Sequence, residues 1–186
     1  MSGPSRLPHD SAHMHVTGQS EYIDDRPRMA RELSVEVVWS RHARARIRKI
    51  DDRAARAVPG FAGIYTAKDL RHNRWGTIFQ DQPLLAEKEV FFAGEAIAVV
   101  AGETPEAALA AREAVRIEYD VLPAILSIDA AKAAKSFIAG TRKIERGDVD
   151  AALKQSPHRL EGRIVIRGAD HFYLESQAAV VYPRED

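Results

Sequence analysis

Up to about residue 120, short alternations of apolar and polar residues outnumber helical stripes. Residues 33–39, Leu-Ser-Val-Glu-Val-Val-Trp, predict a strand with Leu33, Val35 and Val37 on one face. Residues 43–50 predict a second strand, with Ala43, Ala45 and Ile47 on one face and Arg44, Arg46 and Arg48 on the other. Residues 51–57 read as a short helix ended by Pro59-Gly60, and residues 61–65 as a short strand. Thr66 then caps a helical turn through Leu70, and residues 71–88 read as loop. Residues 95–101 form an apolar run suited to a buried strand.

The clearest helix starts at Thr104-Pro105-Glu106. Threonine accepts a bond from a free backbone N–H, proline at the first helical position loses none, and glutamate suits the positive end of the dipole. An alanine-rich run carries this helix to about Arg112. Residues 115–119 return to strand chemistry and Pro123 ends them. Further helices are expected over 127–134 and over 148–155, the latter capped by Asp148. Residues 158–167 and 172–182 read as two long strands. Two strands need a sheet and a covering layer, so this last unit is expected to be incomplete. The fold class is α+β. Residues 1–15, with Pro4, Pro8 and three histidines, read as an extended lead.

Composition narrows the chemistry. Lys plus Arg and Asp plus Glu both number 27, so no global field steers nucleic acid or an anionic membrane. With no cysteine, disulfides, thiolate nucleophiles and cysteine-held zinc or iron–sulfur clusters are excluded within the chain. That fits a reducing compartment, and the expected localisation is cytoplasmic. No apolar run reaches the roughly 20 residues a membrane span requires.

Four clusters merit weighing. His9, His13 and His15 suggest a zinc or copper site if 13 and 15 share a strand face, but such a site needs ligands from elsewhere, and a solvated lead explains them too. Arg44, Arg46 and Arg48 suggest a phosphate-binding stripe, a solvated face, or pairing with acids on a partner. No aromatic residue interleaves them for base stacking. Asp24-Asp25 and Asp51-Asp52 are neighbours, which strand geometry points to opposite faces, so turn and cap roles fit better than an acid–base pair. Asp170, His171, Glu175 and Ser176 invite a hydrolytic triad. Alternation separates His171 and Glu175 from Asp170 and Ser176, and no glycine-bounded elbow presents the serine. Gly-x-Gly-x-x-Gly and Walker-type phosphate loops are absent.

Six segments in order resemble the large subunits of the molybdenum hydroxylases, the family of xanthine dehydrogenase and aldehyde oxidase. Val16-Thr17-Gly18 through Tyr22-Ile23-Asp24-Asp25 is similar to its opening motif, and Pro8-His9-Asp10-Ser11-Ala12 before it resembles the xanthine dehydrogenase branch. The others are Ser40-Arg41-His42-Ala43-Arg44-Ala45-Arg46-Ile47, Pro59-Gly60-Phe61 through Leu70, Asp81-Gln82-Pro83-Leu84-Leu85-Ala86, Phe92-Ala93-Gly94-Glu95 through Ala101, and Asp170-His171-Phe172-Tyr173-Leu174-Glu175.

The resemblance implies an extended lead over 1–15, an α/β-hammerhead domain over 16–140, and a linker with the incomplete start of a molybdopterin-binding domain over 141–186. It implies oxidative hydroxylation of purines, aldehydes or heteroaromatic rings by a complete enzyme. Molybdenum–molybdopterin does the chemistry there, with iron–sulfur and FAD groups on other domains or subunits. The histidines and arginines then read as scaffold and subunit-contact positions. This chain alone is expected to hold no catalytic, cofactor-binding or metal residue and to be inactive. Its expected partners are the rest of the molybdenum subunit and an iron–sulfur/FAD subunit within an oligomer, with no nucleic acid and no membrane. The alternative is a truncated paralogue serving as an interaction or assembly module. One position departs from the pattern: where the family carries a glutamine whose amide contacts the metal's oxo ligand, this chain has Ala169, which has no donor.

Overall fold

In a computed structural model of the chain, residues 9–173 and 177–183 are described. In chain order the elements are α1 (Ala12–Thr17), β1 (Ser34–Trp39), β2 (Ala45–Asp51), α2 (Arg53–Arg56), β3 (Phe61–Thr66), β4 (Glu89–Val90), β5 (Ala96–Gly102), α3 (Pro105–Ala114), β6 (Arg116–Val121), α4 (Ile128–Ala133) and α5 (Val149–Gln155). They fall into two compact units: Met29–Thr141, and Met1–Arg28 together with Arg142–Asp186.

The unit Met29–Thr141 holds two three-stranded antiparallel sheets, ordered β1-β5-β3 and β4-β2-β6. The alanine-rich side of α3 covers one face of the first sheet. Ala107, Ala108 and Ala111 are buried there because a methyl group is all the close approach admits. Gly102 ends β5 under the same helix, where a Cβ would stand 2.4 Å from the Ala108 nitrogen. Val38, Ala98, Val100 and Ala111 pack with Ala55 of α2 into one core. Ala45, Ala86, Val90 and Ile97 form a second core against the other sheet. Each fully buried side chain of the size of Ile97 contributes roughly 1.5–3 kcal/mol.

The α3 cap forms as the sequence predicts: the Ala107 N–H donates to Thr104 Oγ1 at 3.1 Å, with Pro105 at the first position. Thr66 and Asp69 close a capping box around the 3₁₀ turn Ala67–Asp69, and Ser127 caps α4. The β2 alternation also holds, with Ala45 buried and Arg46 and Arg48 exposed.

The structure decides one open question and corrects two expectations. The alternation in β1 is real, but the face carrying Leu33 and Val35 points outward, and Val38 faces the core. The period gives two faces and cannot say which one α3 will cover. Glu36 tolerates the covered face because its carboxylate accepts from Arg112 Nη1 of α3 at 3.2 Å. Second, the lead is not extended throughout: residues 12–17 form α1, ended by Gly18 at φ 72°, a left-handed cap that glycine adopts without cost.

Third, the strands expected over 158–167 and 172–182 are absent among the described residues, where α5, capped by Asp148, is followed by irregular chain. Leu160, Ile164 and Phe172 lie fully or almost fully exposed. Strand-forming residues settle into a ladder only when a neighbouring strand takes their N–H and C=O groups, and none is at hand.

Candidate functional site

Ser11 bridges two of the histidines, with its hydroxyl 3.2 Å from His9 Nδ1 and 3.1 Å from His15 Nε2. Ser20 Oγ lies 2.7 Å from His15 Nδ1, and the Tyr22 ring stacks on the His15 ring. Both nitrogens of His15 are thus engaged by hydroxyls in a local network that braces the turn after α1. His13 and His15 lie on a helix, two residues and so about 200° apart, which removes the shared strand face. No group of three or more metal-binding side chains is assembled among the described residues.

The arginine stripe is largely neutralised within its own sheet. Arg44 Nε donates to Glu89 Oε1 at 2.9 Å, and Arg48 pairs with Asp120 of β6. These are exposed cross-strand pairs, worth at most about 1 kcal/mol each. The carboxylate pairs serve local roles. Asp25 accepts from the Tyr22 N–H, while Asp51 and Asp52 bind Arg53 and Arg56. The side-chain bond from Arg53, then its backbone N–H, holds the Asp51 carboxyl well below the usual carboxylate range.

Glu175 and Ser176 of the imagined triad lie outside the described residues. Asp170 accepts from the His171 N–H at 2.8 Å, and the His171 ring leans on Tyr173 at 5.2 Å. Asp170, His171 and Ala169 are all exposed on irregular chain. A pterin cofactor needs a concave site with several converging donors. Exposed residues without a surrounding wall do not supply one, so the described part of 141–186 does not fit the cofactor by itself, and no chemical step is assigned to it.

Among the described residues, two concavities stand out within Met29–Thr141. One, of about 620 Å³, is lined by Ser40, Arg41, Arg112, Arg116 and Tyr119. Burial pushes the Tyr119 hydroxyl up in pKa, partly offset by bonds to Ser40 and Arg41. Its arginines have local duties: Arg112 pairs with Glu36, and Arg116 Nη1 donates to the Glu113 carbonyl at 2.7 Å. The other, of about 670 Å³, lies between the end of β1 and the 74–96 segment, and its wall includes Trp39, Trp75, Leu84, Phe91 and Phe92. Sequence reasoning treated most of this segment as plain loop. The overlooked signal was the density of large aromatics in residues meant for solvent.

The loop is held by a dense set of bonds. Trp75 and Gln82 exchange both backbone bonds, and the Asn73 amide clamps Leu85 through its N–H and its carbonyl. Ser40 bonds Gly94 and Glu95 through its own backbone. The buried Glu95 carboxylate accepts from the Phe91 N–H at 2.6 Å.

Two small antiparallel sheets, the first covered by one helix on a single face, define an α+β scaffold domain, and the strand-type sequence after α5 lies in no strand among the described residues. Family models agree: residues 17–123 match the aldehyde oxidase and xanthine dehydrogenase a/b hammerhead domain, and residues 130–186 match the molybdopterin cofactor-binding domain. The chain belongs to the aldehyde oxidase and xanthine dehydrogenase family. It is 38% identical over 178 residues to xanthine dehydrogenase/oxidase of Rattus norvegicus and 41% identical over 178 residues to xanthine dehydrogenase 1 of Arabidopsis thaliana, covering 96% and 94% of this chain. It spans only 13% of the length of either relative. Among solved structures, the aldehyde oxidoreductase of Desulfovibrio gigas matches with a TM-score of 0.63 and 32% identity over 71% of this chain and 16% of its own. Quinoline 2-oxidoreductase of Pseudomonas putida 86 matches with a TM-score of 0.58 and 32% identity over 68% of this chain and 17% of its own.

Proposed function

We propose that this chain is the hammerhead portion and the opening of the molybdopterin-binding region of a xanthine dehydrogenase-like molybdenum hydroxylase, structural in role and inactive alone. The complete enzyme would hydroxylate purines, aldehydes or heteroaromatic rings in the cytoplasm, passing electrons to iron–sulfur and FAD groups. The observation that carries this reading is the state of residues 158–173: sequence built for strands, matched to a cofactor-binding domain, yet exposed and in no strand. Such a segment gains its ladder when the rest of that domain supplies neighbouring strands. The domain division proposed is 16–140 for the hammerhead and 141–186 for the start of the cofactor region.

The test is metal analysis and turnover with and without the remaining subunit sequence. Expected is negligible molybdenum and no xanthine or aldehyde oxidation for the chain alone, with molybdenum bound once the remaining sequence is present. Stoichiometric molybdenum on the 186-residue chain alone would overturn the proposal. Ala169 adds a second expectation: the complete enzyme should turn over slowly, and Ala169→Gln should raise kcat. A second reading, an assembly module, draws on the exposed aromatic groove, and predicts capture of the remaining subunits without any gain of activity.

A further inference from the structure

Residues 158–170 keep the period of a strand while lying in none. Extended, this segment carries Leu160, Ile164 and Ile166 on one face, along with Gly162 and Gly168, and Glu161, Arg163 and Arg167 on the other. The three apolar side chains stand 100%, 88% and 88% exposed. Just before them, α5 holds Val149 and Leu153, four positions apart on one side of the helix and both exposed. One short stretch of chain thus presents an apolar strand face and an apolar helix stripe, both in water.

We propose that a second copy of this chain supplies the neighbouring strand: residues 158–170 of two copies pair antiparallel about a two-fold axis through Ile164. Charge and size complementarity select this register. Glu161 of each copy faces Arg167 of the other, and His158 faces Asp170. Gly162 lies opposite Ile166 and Gly168 opposite Leu160, so each large side chain meets a small one. Centred on Val165, the ladder would set Arg163 against Arg167; centred on Arg163, it would set that arginine against its own copy. A slip by one residue puts charged side chains of one copy among the apolar ones of the other. Parallel, in-register stacking would align Glu161 with Glu161 and each arginine with itself, so association closes at two copies and does not grow into a fibre. Two strands alone are marginal in water. The exposed stripes of the two α5 helices give the shared apolar face its second layer.

The test is sedimentation equilibrium of the 186-residue chain over a wide concentration range. Expected is a monomer–dimer equilibrium without larger species. Arg167→Glu turns two symmetric attractions into repulsions and should weaken the dimer by about tenfold. The swap Glu161→Arg/Arg167→Glu should restore it. Because the chain has no cysteine, introduced ones report the register. Ile164→Cys, on the axis, should oxidise to a linked dimer several-fold faster than Val165→Cys, which faces Arg163 of the other copy. None of these positions belongs to either core, so the folded unit Met29–Thr141 stays intact in every variant. A chain that stays monomeric, a dimer indifferent to Arg167→Glu or not restored by the swap, or faster linking of Val165→Cys overturns the proposal.

Discussion

Replacing Gly102 with alanine puts a methyl group where the first turns of α3 already have backbone. The added Cβ would stand 2.4 Å from the Ala108 nitrogen, 2.8 Å from its Cα and 3.0 Å from the Ala107 carbonyl carbon. Ordinary van der Waals contact begins at 3.4 Å, so the helix must withdraw by about 1 Å. No rotamer relieves this, because every atom in the way is main chain. Withdrawal loosens Ala107, Ala108 and Ala111, all buried against the sheet. Overpacking costs about 1–3 kcal/mol, and a clash with backbone belongs at the upper end. For a unit of this size, about 3 kcal/mol lowers the melting temperature by on the order of 10 °C. The assay is thermal and urea unfolding followed by circular dichroism on the chain. Gly140→Ala, with open space around it, serves as the control and should be within about 0.5 kcal/mol of the parent. If Gly102→Ala melts with that control, the close approach of β5 and α3 is refuted.

Other outcomes follow from the same geometry. Ile97→Ala should cost about 2–5 kcal/mol by leaving a cavity in the second core, read as a lowered urea midpoint with unchanged slope; a loss below about 1 kcal/mol would contradict its complete burial. Thr104→Ala should cost about 1 kcal/mol through loss of the α3 cap, and Thr104→Ser should recover most of it. Asp69 accepts from the Thr66 N–H at 2.7 Å and from its hydroxyl, and the backbone bond, then the side-chain bond, draw its pKa below the ordinary 3.8. Its contribution is therefore complete above about 3.8 and fades as pH falls through the lower folded value. A carboxyl-carbon NMR titration of Asp69 with its midpoint at or above 3.8 would rule this out.

The candidate site was less legible than the family. Six ordered motifs identified the family, and several of them record a structural demand: a glycine cap after α1, a capped turn at Thr66–Asp69, the Ser40 link to the turn at Gly94. The aromatic groove was missed because its residues are separated in the chain, with Trp39 at the end of β1 and Trp75, Phe91 and Phe92 in a segment lacking period. Only the bonds of Asn73, Gln82 and Glu95 bring them to one wall.

By itself the sequence determined the elements whose causes are local. The α3 cap at Thr104 and the α5 cap at Asp148 depend on neighbours within a few residues. Tertiary structure decided which β1 face is buried, because α3 covers one side of its sheet only. It also decided that the basic stripe is paired, because β4 and β6 bring Glu89 and Asp120 to Arg44 and Arg48. Residues 158–173 mark where local propensity ceases to suffice: a strand is a relation between two segments, and half of that relation is not a strand.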